Sequence, residues 1–141
     1  MWGKFKSDER TTNYLPLVAH CLDVALCFRA LCGTEGLRRS INRASNRALP
    51  PQSLDRLAVL CLLHDLGKAN LGFQRKVFDP KAPRAGHVRE LAPIFEDPEL
   101  SQRAMSALDW ERLSDWFVDD ACADSYFMAA FSHHGRPLEF K

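Results

Sequence analysis

The run "LDRLAVLCLLHDLGKA", Leu54 to Ala69, does most to limit what this chain can fold into. It is apolar almost all round, and a helix of that pattern belongs inside a structure, not on its surface. Ser53 is a good N-cap for it, and Asp55 in the first turn suits the helix dipole. Such a helix needs others to cover it. "YLPLVAHCLDVALCFRALCG", Tyr14 to Gly33, supplies one: Leu17, Cys21, Val24 and Phe28 recur at spacings of three and four, and Gly33 is a stop signal. "LSQRAMSALDWERLSDWFVDD" reads as an amphipathic helix with Met105, Leu108, Leu113, Trp116 and Phe117 toward the core. "ADSYFMAAFSHHG" reads as a further helix ending at Gly135. Thr34 to Gln52 reads as a short helix or loop broken at Pro50-Pro51, and Asn70 to Pro98, with four prolines, mostly as loop. No repeat, low-complexity tract or convincing strand is visible. The expected fold class is all-α, a helical bundle.

The chain length of 141 residues suits one domain, and 46% hydrophobic residues suffice for a core. The net charge of +1 predicts no partner, but the charge is unevenly spread. Lys68 to Arg89 holds six basic residues and one acidic; Glu90 to Asp124 holds ten acidic and two basic. The first segment could meet phosphates, or the two could be solvated faces of opposite sign. Five cysteines, with no C-x-x-C pair, favour a reducing compartment, with Cys21, Cys27 and Cys61 packing as small hydrophobes. The N-terminus lacks a signal-peptide apolar region, and no apolar run approaches the ~20 residues that span a bilayer. The expected location is the cytoplasm, with no membrane partner.

The chemistry concentrates in five histidines: His20, His64, His87, His133 and His134. Taken alone, His20 could be a core histidine, and His133-His134 could be a cation site at a helix C-terminus. His64 is followed by Asp65, and a buried aspartate is rare unless paired or metal-bound. Imidazole and carboxylate together suit Mn, Fe, Co, Ni or Zn. His64 and Asp65 can flank a metal pair if Asp65 bridges. Two ions ~3.5–4 Å apart can clamp a phosphodiester, one of them generating hydroxide. Lys68, about one turn after Asp65, could contact a phosphate or hold the aspartate. A P-loop is excluded because "DLGKAN" lacks the glycine spacing, and neither G-x-S-x-G nor H-E-x-x-H occurs. Cys61 lies one turn before His64, but an apolar run disfavours its thiolate.

The ordered set H…HD…H…HH resembles the HD phosphohydrolase superfamily. "WGKF", "YLPLVAHCLDVA", "LLHDLGKANLGFQRK" and "SHHG" together resemble the HD nuclease domain of the type I CRISPR-associated helicase-nuclease. The resemblance runs from Trp2 to Gly135, with no motif in Thr34–Gln52 or Leu91–Asp124. It implies an HD-domain helical bundle over residues 1–141, with one metal held by His20, His64 and Asp65. A second would be held by Asp65, His87, His133 and His134. The catalytic group would be His64, Asp65 and Lys68. It implies two divalent transition-metal ions (Mn, Fe, Co or Ni, with Mg an alternative) and metal-dependent endo- or exonuclease cleavage of single-stranded DNA in CRISPR interference, an antiviral defence. The partners implied are a CRISPR surveillance complex and a superfamily 2 helicase, fused or separate.

The pattern also implies a further aspartate on a helix after His-His-Gly, which the 141 residues do not contain. An incomplete C-terminus, or a first metal site short of one ligand, is therefore expected. Arg75, Lys76, Lys81, Arg84 and Arg89 could track a DNA backbone, with Phe73 or Phe78 as a stacking face. Two other readings stay open: an HD-type nucleotide phosphohydrolase, and a catalytically dead HD scaffold.

Overall fold

The computed structural model describes residues 1–7, 12–79, 81–83 and 85–132. Among them are eight α-helices, two 3₁₀ turns and one two-stranded sheet. The mostly helical architecture agrees with the all-α expectation. The sheet does not: β1 (Trp2–Ser7) pairs antiparallel with β2 (Thr12–Pro16). The two strands are short and mix polar with apolar residues without strict alternation, so their sequence carries little period-two signal. Pairing shifts register between Trp2 and Lys4, and Gly3 lies in that step. A Cβ at Gly3 would lie 2.8 Å from Cβ of His20, so the missing side chain lets β1 lie flat on the next helix.

That helix, α1 (Leu17–Cys32), starts where β2 ends and is capped at Gly33. It buries Leu17, His20, Cys21, Ala25 and Cys32. Its main partner is α3 (Pro51–Leu63), and Arg29 on α1 pairs with Asp55 on α3 at 2.6 Å. Between them lies the short polar helix α2 (Glu35–Ala44). Pro50-Pro51 does not simply break the chain. Pro51 opens α3, a position where its missing N–H is no loss, and Ser53 sits inside the helix instead of capping it.

The helix α3 is central, as its pattern predicts. Leu60 and Leu63 join Val88, Leu91, Leu113, Phe127 and Phe131 in one buried cluster. Phe127 and Phe131 come from α8 (Asp120–Phe131), capped by the Asp119 side chain accepting from the Cys122 N–H at 2.7 Å. The segment expected to be loop contains α4 (Leu71–Arg75) and α5 (Ala92–Glu96). The single helix expected from Leu100 to Asp120 is two, α6 (Pro98–Ala107) and α7 (Trp110–Ser114). Asp109 between them has φ +52°, a left-handed conformation that ends the first helix and turns the chain. Leu113 is buried, and Leu108, Trp116 and Phe117 pack against the core as expected. All five cysteines are free thiols; Cys21 and Cys32 are buried, but Cys27 is exposed, contrary to expectation. Among the described residues no single helix is long and apolar enough to cross a membrane. The expected helix end at Gly135 and the histidines His133 and His134 lie outside the described residues.

Candidate metal centre

The site forms where α3 stops. The helix was expected to run to Ala69, but it ends at Leu63, and His64 and Asp65 occupy the turn before a 3₁₀ segment, Leu66–Ala69. Asp65 has φ −105° and ψ 16°, outside helical geometry, and this breaks the 100° stagger that adjacent helical residues would impose. Both side chains can then face the same space.

Asp65 is 2% exposed, and with Phe127 it is among the largest fully buried side chains. A buried carboxylate is costly without cations around it, and its two oxygens face different groups. Oδ2 lies 2.9 Å from His20 Nε2, 3.1 Å from His64 Nε2 and 2.5 Å from Lys68 Nζ. Oδ1 lies 3.5 Å from His87 Nε2. Burial alone would raise the Asp65 carboxyl. Hydrogen bonds from His64 and Lys68, and their charges, outweigh that and hold it well below the usual carboxylate range. Burial lowers His20 below its ordinary value, against the pull of Asp65, so its neutral, ligand-competent form is favoured.

His64 gives the clearest sign of what the cluster suits. Its Nδ1 donates to the Cys61 carbonyl at 2.7 Å. With Nδ1 committed to that carbonyl, Nε2 is the nitrogen that faces Asp65 Oδ2. Such an arrangement is stable only with a proton or a cation between them, and an imidazole anchored through its other nitrogen is the usual form of a metal ligand. His20, His64 and Asp65 each offer one donor atom, all within 4.8 Å of one another. Atoms bound to one ion at ~2.0–2.2 Å lie roughly 3–4.4 Å apart, so small side-chain shifts would bring all three donors onto one ion. The donor set therefore fits a divalent transition metal. Lys68 holds the aspartate, one of the two roles its spacing allowed, and its ammonium is the cation now against Oδ2.

The sequence places His87 in a loop, and the structure brings that loop to Asp65. Gly67 permits the approach, because a Cβ there would overlap the His87 carbonyl oxygen. The His87 ring meets Phe73 edge-on, centroids 5.3 Å apart. Phe73 is buried against Trp2, His87 and the Lys76 ammonium, so it is not the exposed stacking face considered for it. Phe78, by contrast, is 81% exposed. Burial pushes the Cys61 thiol up, in keeping with an inert packing role beside His64.

Sequence reasoning gave no role to Gln74 and Asn70. Gln74 accepts from the Trp2 N–H at 2.9 Å and donates to the Trp2 carbonyl at 3.0 Å and the Lys68 carbonyl at 2.7 Å. It ties the N-terminal strand to the turn that carries Lys68. Asn70 caps α4, accepting from the Phe73 N–H at 2.7 Å. Both lie in "KANLGFQ", part of the stretch that carries the family resemblance, and that was the available signal.

The family model described as "Cas3, HD domain" matches residues 2–141. No curated protein and no solved structure matches the chain.

Proposed function

The chain belongs to the Cas3 HD-domain family, of CRISPR-associated HD nucleases, and on that premise we propose that it hydrolyses phosphodiester bonds of single-stranded DNA with two divalent metal ions. The observation that carries this reading is the division of Asp65: Oδ2 toward His20 and His64, Oδ1 toward His87. One carboxylate can thereby serve two ions. His20, His64 and Asp65 would hold the first; Asp65 and His87, with His133 and His134, would hold the second. Bound there, divalent ions supply Lewis acidity to the scissile phosphate and lower the pKa of water.

The protein's own residues prepare this chemistry. Asp65 is held ionised at neutral pH by His64 and Lys68. The Cys61 carbonyl fixes the His64 ring so that Nε2 points inward. Lys68 fixes the aspartate through Oδ2 and would add positive charge beside a bound phosphate. Arg75, Lys76, Lys81 and Arg89 provide positive charge along a strand, and exposed Phe78 provides a face for a base. Arg84 falls outside the described residues. A helicase, fused or separate, and a CRISPR surveillance complex would deliver the strand.

The test is cleavage by the purified chain in Mn²⁺ of three substrates: circular single-stranded DNA, a deoxynucleoside triphosphate and a cyclic nucleotide. Degradation of the circle alone is expected. Hydrolysis of a mononucleotide with the circle intact would replace this reading with that of a nucleotide phosphohydrolase. Absence of bound metal and of all hydrolysis would make the chain a scaffold.

A further inference from the structure

We propose that Asn70 is a positioning residue that holds His87 beside Asp65 and thereby sets the affinity for the second metal ion. The inference rests on the two-ion reading above and concerns a residue that touches neither ion. Asn70 uses both ends of its carboxamide. Its Oδ1 accepts from the Phe73 N–H at 2.7 Å, which caps α4. Its Nδ2 donates to the Gly67 carbonyl at 2.7 Å and to the Gly86 carbonyl at 3.0 Å.

These three bonds join three parts of the site. Gly67 is two residues beyond Asp65. Phe73 packs edge-on against the His87 ring. Gly86 directly precedes His87. The Asn70–Gly86 bond spans sixteen residues of sequence and links the metal-binding turn to a segment without regular structure. On its other side Gly86 donates to the Glu90 carboxylate, so the loop is held from two directions. Gly67 and His87 are in backbone contact, and little slack exists once Asn70 has drawn the segments together.

The chemistry needed is particular. Serine, aspartate and asparagine all cap a helix by accepting a backbone N–H, but of these three only asparagine also offers an N–H₂ group. Capping and bridging can therefore be separated. Asn70→Asp keeps the acceptor for Phe73 and sets a carboxylate against two carbonyl oxygens. Asn70→Ser keeps the cap, adds no charge and is too short to reach Gly86.

The experiment titrates the full chain with Mn²⁺ by calorimetry, in the parent and in Asn70→Asp, Asn70→Ser and His87→Ala, with thermal unfolding of each metal-free protein. The parent is expected to bind two ions. Both Asn70 variants should bind the first ion as the parent does and the second about 10- to 100-fold more weakly, the usual range for loss of an outer-shell partner. Their unfolding midpoints should fall by no more than a few degrees, the cost of two lost hydrogen bonds. If both variants bind two ions with parental affinity while His87→Ala loses one, Asn70 has no such role and the site reading stands. If both ions weaken together and the midpoint drops further, Asn70 serves the fold alone and the proposal is overturned. If the parent binds fewer than two ions, or His87→Ala keeps both, the two-ion reading fails and the inference with it.

Discussion

Gly67→Ala would test how tightly the two halves of the site are pressed together. Gly67 is buried in the 3₁₀ turn just beyond Asp65. A Cβ there would overlap the His87 carbonyl oxygen, lie 2.7 Å from its carbon and 3.1 Å from Leu91 Cγ. Two of these three neighbours are backbone atoms, which cannot swing aside as a side chain can. Either the His87 segment retreats or the turn bearing Asp65 does, and the 3.5 Å approach of His87 to Asp65 is lost in both cases. Overpacking of this kind costs about 1–3 kcal/mol, a fall in melting midpoint of roughly 3–10 °C for a chain of this size. Misplacement of a reacting group by about 1 Å costs on the order of a hundredfold in rate.

Gly36→Ala is the matched control. Gly36 lies in α2, and a Cβ there meets nothing within 4 Å. Alanine should stabilise by about 0.5–1 kcal/mol, since glycine in a helix carries the greater entropic cost. Differential scanning fluorimetry of the metal-free proteins, followed by Mn²⁺ titration, reads both effects. A Gly67→Ala protein that melts with the parent and binds Mn²⁺ with the same stoichiometry would refute the close approach.

Gln74→Ala removes three side-chain bonds to Trp2 and Lys68, and should cost about 1–3 kcal/mol. Hydrogen exchange should quicken in residues 2–6 and not in α8; unchanged protection of the strand would count against the tie. Phe127→Ala, at a position 1% exposed and packed against Trp110 with ring centroids 4.6 Å apart, should cost about 3–5 kcal/mol in denaturant unfolding. A loss below about 1 kcal/mol would mean that α8 is not part of the core. With iodoacetamide at pH 8, exposed Cys27 should be alkylated first. Cys21 and Cys61 should lag, because burial raises their thiols and leaves less thiolate at that pH. Peptide mapping that finds half-buried Cys61 modified as fast as exposed Cys27 would contradict this order.

The features legible in the sequence are those that depend on neighbours along the chain. The three-and-four spacing of Leu17, Cys21 and their followers marked α1, and the apolar run before His64 marked α3 as central. The joining of His20 to His64-Asp65 came from the family resemblance, since His20 alone reads as a core histidine, and the structure brings the three within reach of one ion. Features set by distant contacts were not legible. β1 and β2 are held by each other and by α1, and neither has a strong pattern of its own. The break at Asp109 depends on one backbone angle inside an amphipathic run. Phe73 resembles an exposed aromatic beside basic residues, yet Trp2, from the far end of the chain, covers it. Gly67, Asn70 and Gln74 matter through backbone groups of His87, Gly86 and Trp2, and no local pattern names those partners.

The sharing of Asp65 by two metal ions underlies the proposed function. Its most direct test is metal content after Mn²⁺ loading and gel filtration, measured by mass spectrometry for the parent, His20→Ala, His87→Ala and Asp65→Ala. Two ions per chain are expected in the parent, one fewer in each histidine variant, and none in Asp65→Ala, with cleavage of single-stranded DNA lost in the last. An Asp65→Ala protein that retains either ion, or cleaves single-stranded DNA as the parent does, would contradict that sharing.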